Sequence, residues 1–429
     1  MTADAAGGAR RGVALVNLGC RVNRVELDLM ASELERSGVE VVPERDARVI
    51  VVNTCAVTGE AEAKTRKAVL HAAGLPRAPL VVATGCVANL FADELEALAP
   101  NVVVEREKSH VAGRVLSEIG LSAGCGSGAI PALTPTPTGR TRPGIKIQDG
   151  CDNRCTYCIV WRARGRARSV APAEVLRSVR EAQARGAREV VLTGINLGCY
   201  RAEGEGGGEM GLPGLLDLLL ERTDVERIRL SSIEPPDVTP ELCAVMARAG
   251  ERVAPFLHVC LQSGCDETLR RMARVYRTDL FRRVAQAARE AVPGLALGTD
   301  LIVGFPGETD EEFEASLAFC REMRFAKMHV FRYSRRPGTP AATMPGQVDP
   351  RVMAERGRRA RELADELRLA EAGRLVGSRD LVLVQYPGRG VSGGLFDVLV
   401  DPALPLDSLV PVRLASVRDD ATLVGEALA

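Results

Sequence analysis

Three closely spaced cysteines near the middle of the chain are the residues best suited to chemistry. Cys151, Cys155 and Cys158 form a C-x3-C-x2-C set within residues 150–158. The same segment contains glycine, aspartate and asparagine, which favour a turn over one continuous helix. Thiolates this close together on a loop can converge on a soft metal centre.

Zinc is one candidate metal, but a structural zinc site normally has four protein ligands. No fourth cysteine or histidine lies close to the triplet in sequence, and the chain contains only four histidines: His71, His110, His258 and His329. Three thiolates suit a 4Fe–4S cluster in which one iron has no protein ligand. Such an iron can hold a substrate or a cofactor.

A second set of three cysteines lies in the first hundred residues. Residues 13–118 alternate apolar runs (13–17, 49–52 and 80–83) with helical patterns (24–37 and 60–72). This alternation predicts an open parallel α/β sheet with helices on both faces. Cys20, Cys55 and Cys86 each follow one of the three strands, at the sheet edge where ligands bind in such folds. Buried structural thiols are the alternative, but the repeated placement favours a second three-thiolate cluster.

The central triplet requires a framework, and a longer strand–helix series from about residue 144 to residue 344 supplies one. Candidate strands are 145–148, 189–193, 227–231, 256–259, 296–303 and 327–333, and amphipathic helices between them include 172–185, 238–249, 278–291 and 310–323. Six β/α units predict a partial, six-stranded parallel (β/α)6 barrel of the TIM type, with chemistry at the carboxyl ends of the strands. The cysteine loop follows the first strand, as that rule requires.

The end of the chain has a different pattern. An arginine-rich helix over 350–376 precedes four short apolar runs, at 381–385, 395–401, 410–415 and 422–426. Four strands in about fifty residues predict a small β-barrel of the oligonucleotide-binding style. We therefore expect the following division: a disordered terminus 1–12, an α/β domain 13–118, a Gly/Pro/Thr-rich linker 119–143, a barrel with its trailing helix 144–376, and a β-barrel 377–429.

Bulk composition excludes several classes of protein. The 56 basic residues balance the 56 acidic ones, so a nucleic-acid surface would have to be local. No apolar run approaches membrane-spanning length, and the first ten residues contain no apolar signal core. We expect a cytoplasmic protein without a membrane partner. In such a protein, twelve cysteines indicate metal ligands or buried thiols and not disulfides.

The central triplet resembles the signature of the radical S-adenosylmethionine enzymes. In that superfamily the open iron binds S-adenosylmethionine, and reductive cleavage of the sulfonium gives a 5′-deoxyadenosyl radical. The two triplets together with the C-terminal β domain resemble, over roughly residues 13–426, the methylthiotransferase family. Several segments resemble the branch that modifies N6-threonylcarbamoyladenosine at position 37 of tRNA: 18–23, 53–58, 146–151, 163–166, 193–198, 231–235 and 333–339. The last domain resembles the RNA-binding TRAM module, which contacts protein in the ribosomal-protein branch.

This resemblance implies transfer of a methylthio group to carbon 2 of the adenine. Cys151, Cys155 and Cys158 would hold a radical 4Fe–4S cluster, and a second, auxiliary 4Fe–4S cluster that carries the donated sulfur would be held by Cys20, Cys55 and Cys86. S-adenosylmethionine would serve as both methyl donor and radical source, with candidate contacts at Gly194, Gln262 and Gly304. A role as turn residues is the equal alternative for the two glycines. The implied partners are the anticodon loop of tRNA, an external electron donor and a sulfur source.

Alternatives within the family are N6-isopentenyladenosine in tRNA and an aspartate of a ribosomal protein. Outside it, the alternatives are a non-catalytic RNA-binding protein with one structural metal and a radical enzyme acting on a small metabolite. The complete second triplet argues against the former, and the C-terminal barrel against the latter.

Other notable residues carry less weight. An arginine run follows the cysteine loop (Arg162, Arg164, Arg166 and Arg168). A solvated face is the ordinary alternative, but contact with RNA or a cofactor is favoured, since phosphate contacts dominate nucleic-acid affinity. Cys260 and Cys265, which flank Gln262, are expected to be ordinary buried thiols. No role is assigned to the remaining cysteines: Cys125, Cys199, Cys243 and Cys320.

Overall fold

The computed structural model describes residues 12–121, 140–204 and 206–428. The predictions for residues 1–11, for most of the linker and for Cys125 therefore lie outside the described residues. The chain divides into two compact units. The first comprises Met1–Arg140, Gly150–Asp152 and Cys158–Arg166, and the second comprises Thr141–Asp149, Asn153–Tyr157 and Ala167–Ala429.

The first unit is built on a four-stranded parallel sheet. Its strands follow the order of the chain: Val13–Asn17, Val49–Thr54, Leu80–Gly85 and Val102–Val104. Its helices are Arg21–Arg36, Gly59–Ala73, Cys86–Leu90, Ala92–Glu96, Lys108–Glu118 and Val160–Arg164, with a 3-10 turn at Glu44–Asp46. The second strand is buried throughout. Its Ile50 and Val52 join one core cluster and its Val49 and Val51 another, which confirms that both faces of the sheet are covered.

The second unit contains the six expected parallel strands. They are Gly144–Lys146, Glu189–Thr193, Arg227–Leu230 with Ser232–Ile233, Phe256–Val259, Ala296–Val303 and Lys327–Arg332. The third strand is interrupted at Ser231. Its first piece pairs with the second strand, and its second piece with the fourth. The partial parallel barrel is thus confirmed, as two sheets that share one interrupted strand.

Helices pack against one face of these strands. They are Pro172–Ala184, Leu212–Arg222, Pro240–Ala249, Asp266–Arg271, Thr278–Ala291, Asp310–Met323 and Pro350–Arg374. Local sequence sets their starts: Thr309 and Glu312 form a reciprocal capping box at the helix Asp310–Met323. Alternate strand residues such as Leu257, Leu297 and Leu301 join the core beneath the helices. The intervening residues project from the opposite face.

Smaller elements complete this unit. Four of the 3-10 turns lie at Leu197–Cys199, Pro235–Asp237, Gly250–Arg252 and Pro340–Thr343. Two antiparallel pairs also form, Gln148–Asp149 with Arg168–Ser169 and Arg201–Glu203 with Glu209–Gly211. None of the helices in the described ranges combines the length and apolar character needed to cross a membrane.

The C-terminal element is a closed β-barrel of five strands. They are Arg379–Tyr386, Arg389–Val391, Asp397–Leu399, Leu409–Val417 and Leu423–Ala427. Side chains that include Val382, Val398 and Leu414 fill its interior. The barrel is confirmed, but the sequence prediction of four strands was wrong. Arg389–Val391 lies in a glycine-rich stretch whose short apolar run gave no strand pattern.

A buried ionic cluster fastens this barrel to the parallel strands. Glu189 accepts hydrogen bonds from Arg227 Nε at 2.5 Å and Arg229 Nε at 2.7 Å. Arg229 Nη1 also donates to the carbonyl of Gly393 at 2.7 Å, and Arg227 donates to the carbonyl of Leu381. The two arginines therefore bridge the second strand and the C-terminal barrel.

Candidate active site

The loop that carries the central cysteines begins at a glycine that no other residue can replace. Gly150 has φ +70°, and a Cβ there would lie 1.9 Å from the carbonyl oxygen of Arg166. The N–H of Cys151 donates to the carbonyl of Gly165 at 3.1 Å. The start of the loop is thus held against the segment that follows its last cysteine.

Cys155 lies beside a buried arginine. Arg274 Nη1 donates to Cys155 Sγ at 3.0 Å, while Nη2 and Nε of the same guanidinium donate to Glu234 Oε1 at 2.6 Å and Tyr276 Oη at 3.0 Å. Burial alone would lower the pKa of Arg274, but Tyr157, Tyr276, Glu234 and Cys155 together raise it. This sulfur therefore lies beside a fixed cation, and a thiolate is the form of cysteine that binds metals.

Glu234 fixes the loop from the other side. Its Oε2 accepts a hydrogen bond from Asn153 Nδ2 at 3.0 Å. Tyr276 donates in turn to the carbonyls of Cys260 at 2.6 Å and Leu261 at 3.0 Å. The contacts of Arg274 therefore run from the cysteine loop to the end of the fourth parallel strand.

The three cysteines of the first unit follow the carboxyl ends of three adjacent parallel strands. Cys20 precedes the helix Arg21–Arg36, Cys55 follows Thr54, and Cys86 begins the helix Cys86–Leu90. Burial, together with the charges of Cys20 and Cys86, raises the pKa of Cys55 to about 11. The three thiols therefore lie within electrostatic range of one another.

The donor set fits a cationic iron centre. Thiolates that repel one another need a compensating positive charge, and metal binding deprotonates coordinating thiols. The N–H groups of Val57 and Cys20 also face the Cys55 thiol, and both favour its thiolate. These observations agree with the prediction of a cluster at this edge, although the ligand assignment itself stays a prediction.

Two asparagines and a threonine hold the edge together. Asn23 Oδ1 accepts from Cys20 Sγ at 3.3 Å, and Asn23 Nδ2 donates to the carbonyl of Thr54 at 2.8 Å. Asn53 Nδ2 donates to the carbonyl of Asn23 at 2.7 Å. Thr54 Oγ1 accepts from the N–H groups of Val87 and Ala88, next to the third cysteine.

The arginine run does not act as a single surface. Arg164 is buried, and it donates to Glu26 Oε1 at 2.8 Å and Asn23 Oδ1 at 2.9 Å. Its predicted contact with RNA or cofactor is therefore wrong: the guanidinium supports the asparagine that hydrogen-bonds Cys20. Arg166 and Arg168 are largely exposed, and Arg168 pairs with Asp149 at 3.1 Å.

The three residues predicted to contact S-adenosylmethionine all have structural partners. Gly194 allows close packing of Gln148, whose Oε1 accepts from the N–H groups of Ile195 and Asn196. Gln262 has φ +68° and continues the parallel pairing beside Leu301. Gly304 has φ +73°, and its N–H donates to Glu308 Oε2 at 2.6 Å. Contact of these residues with the cofactor stays a prediction.

Several cysteines outside the triplets differ in exposure. Cys243 and Cys320 are buried. Cys199, Cys260 and Cys265 are only partly buried, so the expectation of ordinary buried thiols for Cys260 and Cys265 was too strong. Burial raises the pKa of Cys260 well above its usual value.

Sequence reasoning missed the polar partners of the cysteines. Asn23 and Glu234 lie inside segments that resemble family motifs, but no role followed from the pattern. Arg274 gave no local signal, because it is 119 residues from Cys155 in sequence.

Two family models match separate parts of the chain. The model of the Radical SAM superfamily matches residues 145–320, and that of Uncharacterized protein family UPF0004 matches residues 12–105. Among solved structures, the radical S-adenosylmethionine methyltransferase TsrM from Kitasatospora setae superposes with a TM-score of 0.55 at 18% identity, covering 77% of each chain. That likeness shows the fold alone.

Curated relatives define the family. A threonylcarbamoyladenosine tRNA methylthiotransferase (MtaB) of Thermotoga maritima is 36% identical, covering 89% of this chain and 88% of its own. A ribosomal protein uS12 methylthiotransferase (RimO) of Desulforudis audaxviator is 36% identical, covering 88% and 87%. A tRNA-2-methylthio-N(6)-dimethylallyladenosine synthase of Erythrobacter litoralis is 33% identical and covers 96% of both.

The chain combines a radical S-adenosylmethionine barrel with a second cysteine-bearing α/β domain. It belongs to the methylthiotransferase family of these enzymes. Membership in this family implies 4Fe–4S clusters and S-adenosylmethionine as cofactors and a transferase activity.

Proposed function

We propose that this protein transfers a methylthio group to carbon 2 of N6-threonylcarbamoyladenosine at position 37 of tRNA. Its similarity to the Thermotoga maritima MtaB, at 36% identity along most of both chains, is the observation that carries this proposal. Segments that resemble this branch support it, among them residues 18–23 and 53–58. The choice between branches is part of the proposal, because a RimO enzyme is equally identical.

In the proposed enzyme, Cys151, Cys155 and Cys158 hold the radical cluster, and Cys20, Cys55 and Cys86 hold the auxiliary cluster. When bound, the clusters and S-adenosylmethionine supply the radical and sulfur chemistry that an unactivated adenine C2–H requires. Gly194, Gln262 and Gly304 are the residues we assign to S-adenosylmethionine. An external electron donor and a sulfur source complete the reaction.

The chain's own side chains position these groups. Arg274 supplies a fixed positive charge to Cys155 and is itself held by Glu234. Hydrogen bonds to a cluster sulfur tune its reduction potential. Asn23 differs from Arg274 because its Oδ1 accepts a hydrogen bond from the Cys20 thiol, and Arg164 donates to the same oxygen.

We assign the domains to 13–118, 144–376 and 377–429, with a linker at 119–143. The anticodon loop of tRNA is the proposed substrate, and the C-terminal barrel is the proposed RNA-binding module. Small β-barrels of this kind bind single-stranded nucleic acid through charge and base stacking. We place the reaction in the cytoplasm, where tRNA is modified.

The test is mass spectrometry of tRNA nucleosides from cells with and without the gene. Deletion should abolish 2-methylthio-N6-threonylcarbamoyladenosine, and its unthiolated precursor should accumulate. If only the isopentenyl counterpart disappears, the branch is wrong. If no tRNA nucleoside changes, the RNA substrate is wrong, and the mass of the ribosomal-protein aspartate then tests the protein branch.

Metal analysis tests the cofactor assignment independently. Protein prepared without oxygen should contain about eight irons and eight acid-labile sulfides, as two 4Fe–4S clusters require. Alanine at Cys20, Cys55 and Cys86 should leave about half of each. Zinc in place of iron would contradict the proposal.

A further inference from the structure

Two histidines and an aspartate meet on the face of the barrel strands that carries no helices. His258, Asp300 and His329 lie on the fourth, fifth and sixth parallel strands. Asp300 is directly opposite His329 in the strand register, and His258 is opposite Gly298. The alternate residues Leu257 and Leu301 face the helices, so the three polar side chains project from the inner face.

Their ligand atoms converge on one point. Asp300 Oδ1 lies 3.1 Å from His258 Nε2 and 3.1 Å from His329 Nδ1. One nitrogen or oxygen from each residue falls within 4.8 Å of the other two, and no other group of this kind occurs among the residues that the structure describes. The two imidazole rings are 5.2 Å apart.

The Nε2 atom of His258 has no hydrogen-bond partner. The side chain is 8% exposed, and its Nε2 makes no hydrogen bond although Asp300 is near. A buried polar atom without a partner costs free energy that a ligand can recover. The Asp300 carboxylate lies between the two histidines, with Oδ1 3.1 Å from a ring nitrogen of each.

We propose that His258, Asp300 and His329 bind a divalent first-row transition-metal ion. Two imidazoles and one carboxylate are a ligand set that such ions favour. Three protein ligands leave at least one coordination position open. His329 is 47% exposed, which gives that position access to solvent and to small oxygen ligands.

Cys260 links this site to the residues that hold the central cysteine loop. Asp300 Oδ2 is 4.0 Å from Cys260 Sγ, and the carbonyl of Cys260 accepts from Tyr276, which in turn accepts from Arg274. A substrate group in the open position would thus sit near the chemistry. Resting on the proposed function, we assign that position to the carboxylate of the threonylcarbamoyl group. An isopentenyl group carries no oxygen to fill it.

Zinc binding tests the site without reference to the substrate. Cluster-loaded protein is dialysed against Zn²⁺, and bound zinc is measured by metal mass spectrometry in the wild type and in His329→Gln, Asp300→Asn and the matched control His110→Gln. His110 is exposed on a helix of the first unit. We expect one more zinc per chain in the wild type and the control than in the two site variants, whose affinity should fall by ~10- to 100-fold.

Zinc held by incompletely loaded cysteines appears equally in all four proteins, so the difference reports the new site. Equal iron content and equal circular dichroism exclude a folding defect. Equal zinc in all four proteins would overturn the proposal and leave a hydrogen-bonded His–Asp–His group.

Kinetics on a tRNA stem-loop that carries N6-threonylcarbamoyladenosine test the assigned ligand. His329→Gln should raise KM by ~10-fold or more with a smaller change in kcat, and His110→Gln should change neither. An unchanged KM would refute the carboxylate assignment. If the wild type binds no more zinc than the site variants, the metal site is wrong and the choice of tRNA substrate is unaffected. Activity only on isopentenyladenosine would refute the proposed function and leave the metal site unaffected.

Discussion

At the scale of single residues, Arg274 is a buried cation beside the cysteine loop. Its guanidinium is buried and paired at once with Cys155, Glu234 and Tyr276. Removing one member of a buried ion pair leaves the other uncompensated, which costs about 3–5 kcal/mol. Arg274→Gln should therefore lower the free energy of unfolding by about that amount, measured by denaturant titration.

Arg270 provides the control, because it lies four residues away and pairs with Glu267 at the surface. Arg270→Gln should change the stability by less than about 1 kcal/mol. Arg274→Gln should also reduce the iron retained per chain, since Cys155 loses its cationic neighbour. Equal stability and equal iron in the two variants would refute this role.

Asp237 gives a pH-dependent prediction. Burial and then the charge of Glu234 raise its pKa from 3.8 to about 6, against the opposing effect of Arg201. A carboxyl whose folded pKa is raised stabilises the fold fully below its unfolded pKa, and this contribution is lost as pH rises through about 6. Above that pH, the folded protein carries an unfavourable buried charge.

Asp237→Asn should thus stabilise the protein more at pH 7.5 than at pH 5, by about 1 kcal/mol once partial solvent screening is allowed for. Denaturant titrations at the two pH values measure it. Asp224→Asn, which alters an exposed carboxyl, should show a smaller difference. A difference for Asp237→Asn that is absent or reversed would contradict the assigned pKa.

At the scale of elements, hydrophobic periodicity predicted the bounds of several strands and helices. The strands Phe256–Val259 and Ala296–Val303 and the helix Asp310–Met323 have the predicted bounds, because a long regular pattern bounded by turns leaves few alternatives. Val102–Val104 was missed, since a run of three valines has no period. The break at Ser231 was also missed, because nothing in the local sequence of 227–233 indicates where the pairing changes from one neighbouring strand to the other.

Gly304, at the end of the fifth strand, packs against Met353 of the helix Pro350–Arg374. It has φ +73°, and a Cβ would lie 2.1 Å from Met353 Cγ. Gly304→Ala adds left-handed strain to this overlap and should lower the free energy of unfolding by about 2–4 kcal/mol. Gly294 has a similar φ of +69° with open space around it. Gly294→Ala should therefore cost only about 1 kcal/mol.

A double-mutant cycle with Met353→Ala separates packing from cofactor contact. If packing explains Gly304, the double variant should be about 1–2 kcal/mol more stable than the sum of the single effects predicts. The double variant should then also bind S-adenosylmethionine more tightly than Gly304→Ala does, as measured by equilibrium dialysis. Additive effects on stability would refute the packing account and favour direct contact of Gly304 with the cofactor.

At the scale of the whole molecule, the sequence predicted the C-terminal β-barrel but not the contacts that attach it to the parallel strands. Two cysteine triplets and a terminal run of short strands were each visible as local patterns. The attachment of the C-terminal barrel depends on Glu189, Arg227 and Arg229, which stand inside strand patterns like ordinary polar residues. Their partners, the carbonyls of Gly393 and Leu381, lie more than 150 residues away. No local pattern encodes contacts of that range.

Glu189 should therefore control both the attachment and the acid stability of the second unit. Burial opposes its ionisation, but Arg227 and Arg229 lower its pKa to about 2. A depressed carboxyl pKa stabilises the fold fully above its usual value of 4.5, and this contribution is lost as pH falls toward 2. Glu189→Gln should cost about 3–5 kcal/mol at pH 7 because both arginines stay buried, and less at pH 3. It should also accelerate hydrogen exchange around Ser392, whose carbonyl accepts from Arg229.

The matched control is Glu226→Gln, which removes only the exposed pair with Arg188 and should cost less than about 1 kcal/mol at either pH. Hydrogen exchange read by mass spectrometry and denaturant titration at the two pH values give both results from one set of samples. If Glu189→Gln and Glu226→Gln behave alike, the ionic cluster does not fasten the barrel. The close approach of the backbone at Gly393 to Pro255 and at Gly394 to Ala296 would then be the attachment to test next.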